Sequence, residues 1–107
     1  MYVNCPPCQL QMGELKKVYD EFEDDIIMIS ISVFGAGDSN SDLINFKEYF
    51  NANWLFALDT LKEDATRRYD VLGVPKIIII NKEGDIAYTH TGYTEASSII
   101  EEINIIF

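Results

Sequence analysis

The first periodic stretch of the chain is an apolar stripe at helical spacing. Leu15, Val18, Tyr19 and Phe22 fall at i, i+3, i+4 and i+7, so the segment from Cys8 to about Phe22 reads as an amphipathic helix. The acidic stretch Glu21–Asp25 leads out of it as a solvated helix end. Ile26–Val33 reads IIMISISV, β-branched and largely apolar, with only Ser30 and Ser32 interrupting one face. That pattern predicts a strand buried on both sides, as in a parallel sheet covered by helices. Residues Gly35 to Ser41 have loop chemistry, with Ser41 as N-cap of a helix from Asp42 to Phe50. Trp54–Leu58 is a short strand, and a brief helix from about Lys62 to Tyr69 follows. After Gly73-Val74-Pro75 comes the β-prone run Lys76–Asn81, and Lys82-Glu83-Gly84-Asp85 turns it back into Ile86–Thr91 as a hairpin. The segment from Thr94 to Ile106 sets Ala96, Ile99, Ile100, Ile103 and Ile106 on one face of a terminal helix. The order is α β α β α β β α, an α/β or α+β pattern without repeat or linker, so residues 1–107 read as a single domain.

Charge narrows the picture. Eight basic against eighteen acidic residues leave a net charge of −10, which repels phosphate backbones and excludes nucleic acid as a partner. The longest unbroken apolar run, Trp54 to Leu58, is far short of the roughly 20 residues that span a bilayer. No basic stretch followed by an apolar core marks a signal peptide. Two cysteines are too few for a disulfide-stapled scaffold.

Those two cysteines stand together as Cys5-Pro6-Pro7-Cys8. With Cys8 inside the helix, Cys5 falls at the N-cap, Pro6 at N1, Pro7 at N2 and Cys8 at N3. Proline suits the first turn, where its missing N–H would lack an intrahelical acceptor, and Pro6 holds Cys5 out of the helical region. The Cys8 N–H is then the nearest donor left for the Cys5 sulfur. A sulfur at a helix N-terminus feels the positive end of the macrodipole, which favours its thiolate. The pair is a candidate dithiol/disulfide couple in which Cys5 attacks a partner disulfide and Cys8 resolves the mixed disulfide. Zinc is the competing reading, but it needs about four ligands, and the chain offers no second CxxC and a single histidine, His90. A purely structural disulfide gains little, because so short a loop loses little entropy on closure.

Over its whole length the chain resembles thioredoxin-fold thiol-disulfide oxidoreductases of the TlpA/ResA-like group. The matching residues are the Cys5-Pro6-Pro7-Cys8 helix start, Phe56-Ala57-Leu58-Asp59, and Tyr69-Asp70-Val71-Leu72-Gly73-Val74-Pro75. The strand, turn and strand of Ile78-Ile79-Ile80-Asn81-Lys82-Glu83-Gly84-Asp85-Ile86 match as well, and Gly35–Phe50 matches the insertion that sets this group apart. The resemblance implies a thioredoxin-like α/β fold with a central mixed sheet flanked by helices. It implies that Pro75 follows a cis peptide beside Cys5, with Val74 backbone groups pairing with an extended partner peptide. It also implies a reductant of protein disulfides that needs no organic cofactor and no metal, served by a redox partner protein.

Several positions depart from the group. Asn4 stands where the group often has Trp before the first cysteine, and gives less apolar cover for a partner. Gln11 stands where it commonly has glutamate; Gln11 either faces the dithiol and tunes it without titrating, or is a solvated helix residue. Gly13 replaces a proline that would kink the helix. Lys76 stands where Thr is common; there it either favours the Cys5 thiolate as a neighbouring cation or is a strand-edge lysine in water. The largest departure precedes Cys5. The group's strand there lies mid-sheet, between the strands placed at Ile26–Val33 and Ile77–Asn81, and here only Met1-Tyr2-Val3-Asn4 is available for it. Four residues reach at most about 14 Å. Three expectations follow: a truncated N-terminal strand, a stub strand, or pairing supplied by another chain in a strand-sharing dimer. Truncation would place the protein outside the cytoplasm or on a membrane anchor; otherwise it is cytoplasmic. Of the remaining residues, His90 reads as a hairpin residue, Trp54 as packing and Tyr93 as packing before the last helix. A zinc-binding structural module and a redox-inert interaction domain stand as the alternatives to an oxidoreductase.

Overall fold

A computed structural model describes residues Met1–Phe107. Helix α1 spans Pro6–Phe22 and passes through a short 3-10 turn into strand β1, Ile29–Ser32. Then come α2 (Asn40–Tyr49), β2 (Leu55–Leu58), α3 (Ala65–Arg68), β3 (Lys76–Ile80), β4 (Ile86–Thr91) and α4 (Ala96–Ile106). This is the predicted order, with β1 and α3 shorter than the sequence pattern suggests. Helix α2 begins earlier than expected because Ser39, not Ser41, is its N-cap. The Ser39 hydroxyl accepts the Asp42 N–H at 3.1 Å while the Asp42 carboxylate accepts the Ser39 N–H at 2.8 Å, a reciprocal capping box. Helix α1 runs unbroken through Gly13.

Both strand orientations are present, but as two ladders rather than one continuous sheet. β1 pairs parallel with β2, Ile29 opposite Leu55 and Ser32 opposite Leu58. β3 pairs antiparallel with β4, Lys76 opposite Thr91, with an irregularity between Ile79 and Ile80. The edge of β1 away from β2 is met by Met1, whose amine donates to Ile31 O at 3.0 Å and whose carbonyl accepts the Val33 N–H at 2.9 Å. Tyr2 then turns the chain, its carbonyl accepting the Cys5 N–H at 3.3 Å. The stub strand is therefore reduced to a single paired residue, too short to join the ladders.

Strand β1 also departs from burial on both faces. Ser30 and Ser32 are buried, whereas Ile29 is 53% exposed and its neighbour Leu55 is 59% exposed. The serines point inward because each has a partner there. Ser30 Oγ accepts the Trp54 indole N–H at 2.9 Å, and Ser32 Oγ donates to Asp38 Oδ2 at 2.7 Å.

Helix α1 joins two apolar cores. Val18 packs with Ile79 of β3 and with Ala96, Ile99 and Ile103 of α4. Met12 packs with Phe46 of α2, Ala52 and Trp54, and Leu15 touches both groups. Trp54 is core, as its apolar surroundings predict, with its ring 5.8 Å from Tyr19 and stacked at 5.9 Å on Phe56. The start of α4 has no side-chain cap of its own; Glu14 of α1 supplies one, its Oε1 accepting the Ala96 N–H at 3.0 Å. That bond, and then the Lys17 ammonium, hold the Glu14 carboxyl below its ordinary range.

Candidate active site

The first turn of α1 has the arrangement that its prolines dictate. Cys5 is the N-cap in an extended conformation, Pro6 and Pro7 occupy N1 and N2, and the Cys8 N–H donates to Cys5 Sγ at 3.3 Å. The two sulfurs are joined as a disulfide, with the Cα atoms 5.2 Å apart. Both cysteines are 2% exposed, while Asn4, Pro6 and Pro7 beside them are open to solvent. The approach to Cys5 is tethered from two sides. Asp38 Oδ2, which also holds Ser32, accepts the Val3 N–H at 3.0 Å, and Gln9 Nε2 donates to Val3 O at 2.8 Å. Next to this turn, an open groove of about 850 Å³ runs between α1 and α2, lined by Asn4, Pro6, Gln9 and Leu10 on one side and Tyr49 and Phe50 on the other. Asn4 thus lies on the wall of a groove.

The second candidate segment is Val74-Pro75, joined by a cis peptide as the resemblance implies. Pro75 is buried and its carbonyl accepts the Gly92 N–H at 2.7 Å. Lys76 sends its ammonium to the carbonyls of Tyr69 at 2.8 Å and Asp70 at 3.0 Å, just past the end of α3. A cation there complements the negative end of that short helix. It is therefore not a lysine free in water.

Gln11 is not solvated either. It is 1% exposed, and both halves of its amide are taken by the backbone of Thr94: Nε2 donates to Thr94 O at 2.9 Å and Oε1 accepts the Thr94 N–H at 2.9 Å. Sequence reading alone does not single out Asp38, Gln9 or Glu14. Asp38 lies in a stretch whose Gly and Ser content signals only a loop, and its partner Val3 is 35 positions away. Asp59, quoted above only as a motif residue, organises the turn into α3. It accepts the N–H groups of Thr60, Ala65 and Thr66 and the Thr66 hydroxyl, and that hydroxyl in turn accepts the Phe34 N–H. His90 faces Ile77 across the hairpin.

Solved structures share this fold. StoA from Bacillus subtilis superposes with a TM-score of 0.81 at 19% identity, covering 96% of this chain and 77% of that one. A thiol-disulfide isomerase from Corynebacterium glutamicum does so with a TM-score of 0.84 at 20% identity, covering 99% and 75%. The fold is thioredoxin-like. Among characterised sequences, the thiol-disulfide oxidoreductase ResA of Bacillus subtilis (strain 168) is 28% identical over 102 residues, which are 95% of this chain and 55% of the relative. Sporulation thiol-disulfide oxidoreductase A of the same strain is 23% identical over 100 residues, 91% of this chain and 59% of the relative. The chain thus spans a little over half the length of these curated relatives. A match to the AhpC/TSA family runs from residue 1 to residue 89 and takes in both cysteines and the Val74-Pro75 turn, so the chain belongs to the AhpC/TSA family.

Proposed function

We propose that the protein is a thiol-disulfide oxidoreductase acting on protein disulfides, with Cys5 and Cys8 as its catalytic residues. The observation that carries this reading is the first turn of α1, where Cys5 is the N-cap, receives the Cys8 N–H and is bonded to Cys8. In the reduced protein, the same N–H and the positive end of α1 stabilise a Cys5 thiolate. That thiolate attacks one sulfur of the partner disulfide, and the other partner sulfur leaves as a thiolate that takes up a proton. Cys8 then loses its proton and attacks Cys5 Sγ, forming the Cys5–Cys8 disulfide and releasing the second partner thiol. Two electrons pass from the pair to the partner, whose two thiols take up the Cys8 proton and one proton from solvent, and a redox partner protein restores the dithiol. No cofactor or metal enters any step.

Val74 and Pro75 are assigned to the partner groove by family resemblance, with the Val74 backbone pairing with the partner chain. The working direction is reduction, again by resemblance. A setting outside the cytoplasm, or on a membrane anchor, belongs to the same proposal; one matched structure, from Streptococcus pneumoniae, is described as an exposed lipoprotein thioredoxin. No helix here is long and apolar enough to cross a membrane.

The test is to equilibrate the protein in glutathione buffers of graded potential, tag free thiols by mass and count them. One reversible two-electron transition supports the reading; a midpoint near about −270 mV marks a reductant and one near about −120 mV an oxidant. Thiols unchanged across the whole range overturn it.

A further inference from the structure

Gln11 lies one helical turn beyond Cys8, at i+3, and so on the same side of α1. A residue directly behind a reactive turn and almost fully buried is usually apolar. Gln11 is 1% exposed and places a planar amide against Thr94, pairing with that residue's N–H and C=O at 2.9 Å each, as a neighbouring strand would. The connection continues. Two residues before Thr94, the Gly92 N–H donates to Pro75 O at 2.7 Å. Proline has no N–H, so its carbonyl is its one backbone group available for such a bond. Gly92 can turn the chain there because it adopts φ +100, a conformation that side chains disfavour. The last rung of the hairpin, Lys76 opposite Thr91, sits next to the same bond.

From this continuous path we infer that Gln11 is a positioning residue. Its amide holds the Gly92–Thr94 strap, and through the Gly92–Pro75 hydrogen bond it sets the Val74-Pro75 turn in register with the Cys5–Cys8 end of α1. The inference rests on the proposed oxidoreductase reading and adds a device for presenting a protein partner to the dithiol. The chemistry of the side chain is specific to the task. A glutamate at this position accepts from the Thr94 N–H but, once ionised, cannot donate to Thr94 O. A methionine fills similar space and does neither.

The test compares Gln11→Met and Gln11→Glu with the unaltered protein at pH 7. In the oxidised protein, amide hydrogen exchange is read at Thr94 and Gly92. In the reduced protein, electron transfer is measured to insulin, whose disulfides lie in a folded two-chain protein, and to oxidised glutathione, which is too small to need the strap. Gln11→Met is expected to speed exchange at both amides about tenfold and to raise KM for insulin about tenfold, with kcat for insulin and the glutathione rate within about twofold of the original. Gln11→Glu is expected to fall between the two proteins in both readouts. Because it keeps the volume and one hydrogen bond, it carries the test if Gln11→Met does not fold. Faster exchange at Thr94 with Gly92 and KM unchanged would limit Gln11 to fastening α1, and the inference would be overturned. Equal losses with insulin and glutathione would overturn it too, because they place the effect on the dithiol itself. A protein that reduces neither substrate refutes the oxidoreductase reading instead; the Gly92 amide then shows separately whether Gln11 governs the Pro75 turn.

Discussion

In the proposed exchange Cys5 and Cys8 divide the work, and their substitutions separate the two steps. Cys5→Ser removes the attacking sulfur and is expected to abolish transfer to a protein disulfide. Cys8→Ser leaves the attack but not the resolution, so a mixed disulfide through Cys5 should accumulate and be visible as a mass adduct that dithiothreitol releases. The reverse pattern, an adduct only with Cys5→Ser, would exchange the two roles. Ser30 makes a prediction of a different kind. Ser30→Ala strands the buried Trp54 indole N–H, at an expected cost of about 1–3 kcal/mol in urea unfolding. The N-capped cysteine turn was readable from the sequence because every partner lies within four residues, where helix-start rules and the two prolines act. The roles of Gln11 and Lys76 were not. Each bonds to backbone carbonyl groups, and any residue type supplies those. For Gln11 the partner is 83 positions away.

At the scale of elements, the hairpin β3–β4 was legible from its β-prone run and Gly-containing turn and helix α4 from the Ile99/Ile103 stripe, while the ends of α2 and α3 shifted with their caps. Asp59 shows how one carboxylate can define such an end. Partial burial pushes its carboxyl up, but the Thr66 hydroxyl and the N–H groups of Thr66, Ala65 and Thr60 together outweigh burial and bring it down to about 2. A depressed folded value means that the stabilisation is fully present above the ordinary carboxylate value of 3.8 and fades as pH falls toward about 2. Asp59→Asn is therefore expected to lower stability at pH 7 by about 1–2 kcal/mol after allowing for solvent screening, and to show a smaller further loss between pH 4 and pH 2 than the original protein. Urea midpoints at the two ends of that range decide it. Parallel curves with a constant offset would mean that the hydrogen bonds do not favour the charged form.

For the whole molecule, the α/β class followed from element order and the thioredoxin-like fold from family resemblance, but the division into two ladders followed from neither. Strand pairing is non-local, and a sequence run cannot state which edge its neighbour leaves empty. The charge balance is a global quantity and was legible outright. Against a net −10, the two side-chain ion pairs, Lys17–Glu14 and Arg67–Asp64, are both local and leave the excess acidic groups unpaired by cations. Self-repulsion should therefore weaken the folded state at low salt. Raising ionic strength from about 10 mM to about 150 mM is expected to lift Tm by about 2–5 °C. A flat response would show that the acidic groups are too far apart to matter.

The inward serines of β1 have a last consequence. In most half-buried strands, oil and water choose the register, since slipping by one residue turns the greasy side outward. Here a one-residue slip would do the opposite, burying Ile29 and Ile31 and freeing Ser30 and Ser32. Two hydrogen bonds mark the observed alignment. The strand is keyed like a two-pin lock, with the Trp54 indole and the Asp38 carboxylate as the pins. Removing both hydrogen bonds through Ser30→Ala with Ser32→Ala should let β1 settle one step out of phase, detectable as loss of the Ile29–Leu55 cross-strand contact by nuclear magnetic resonance.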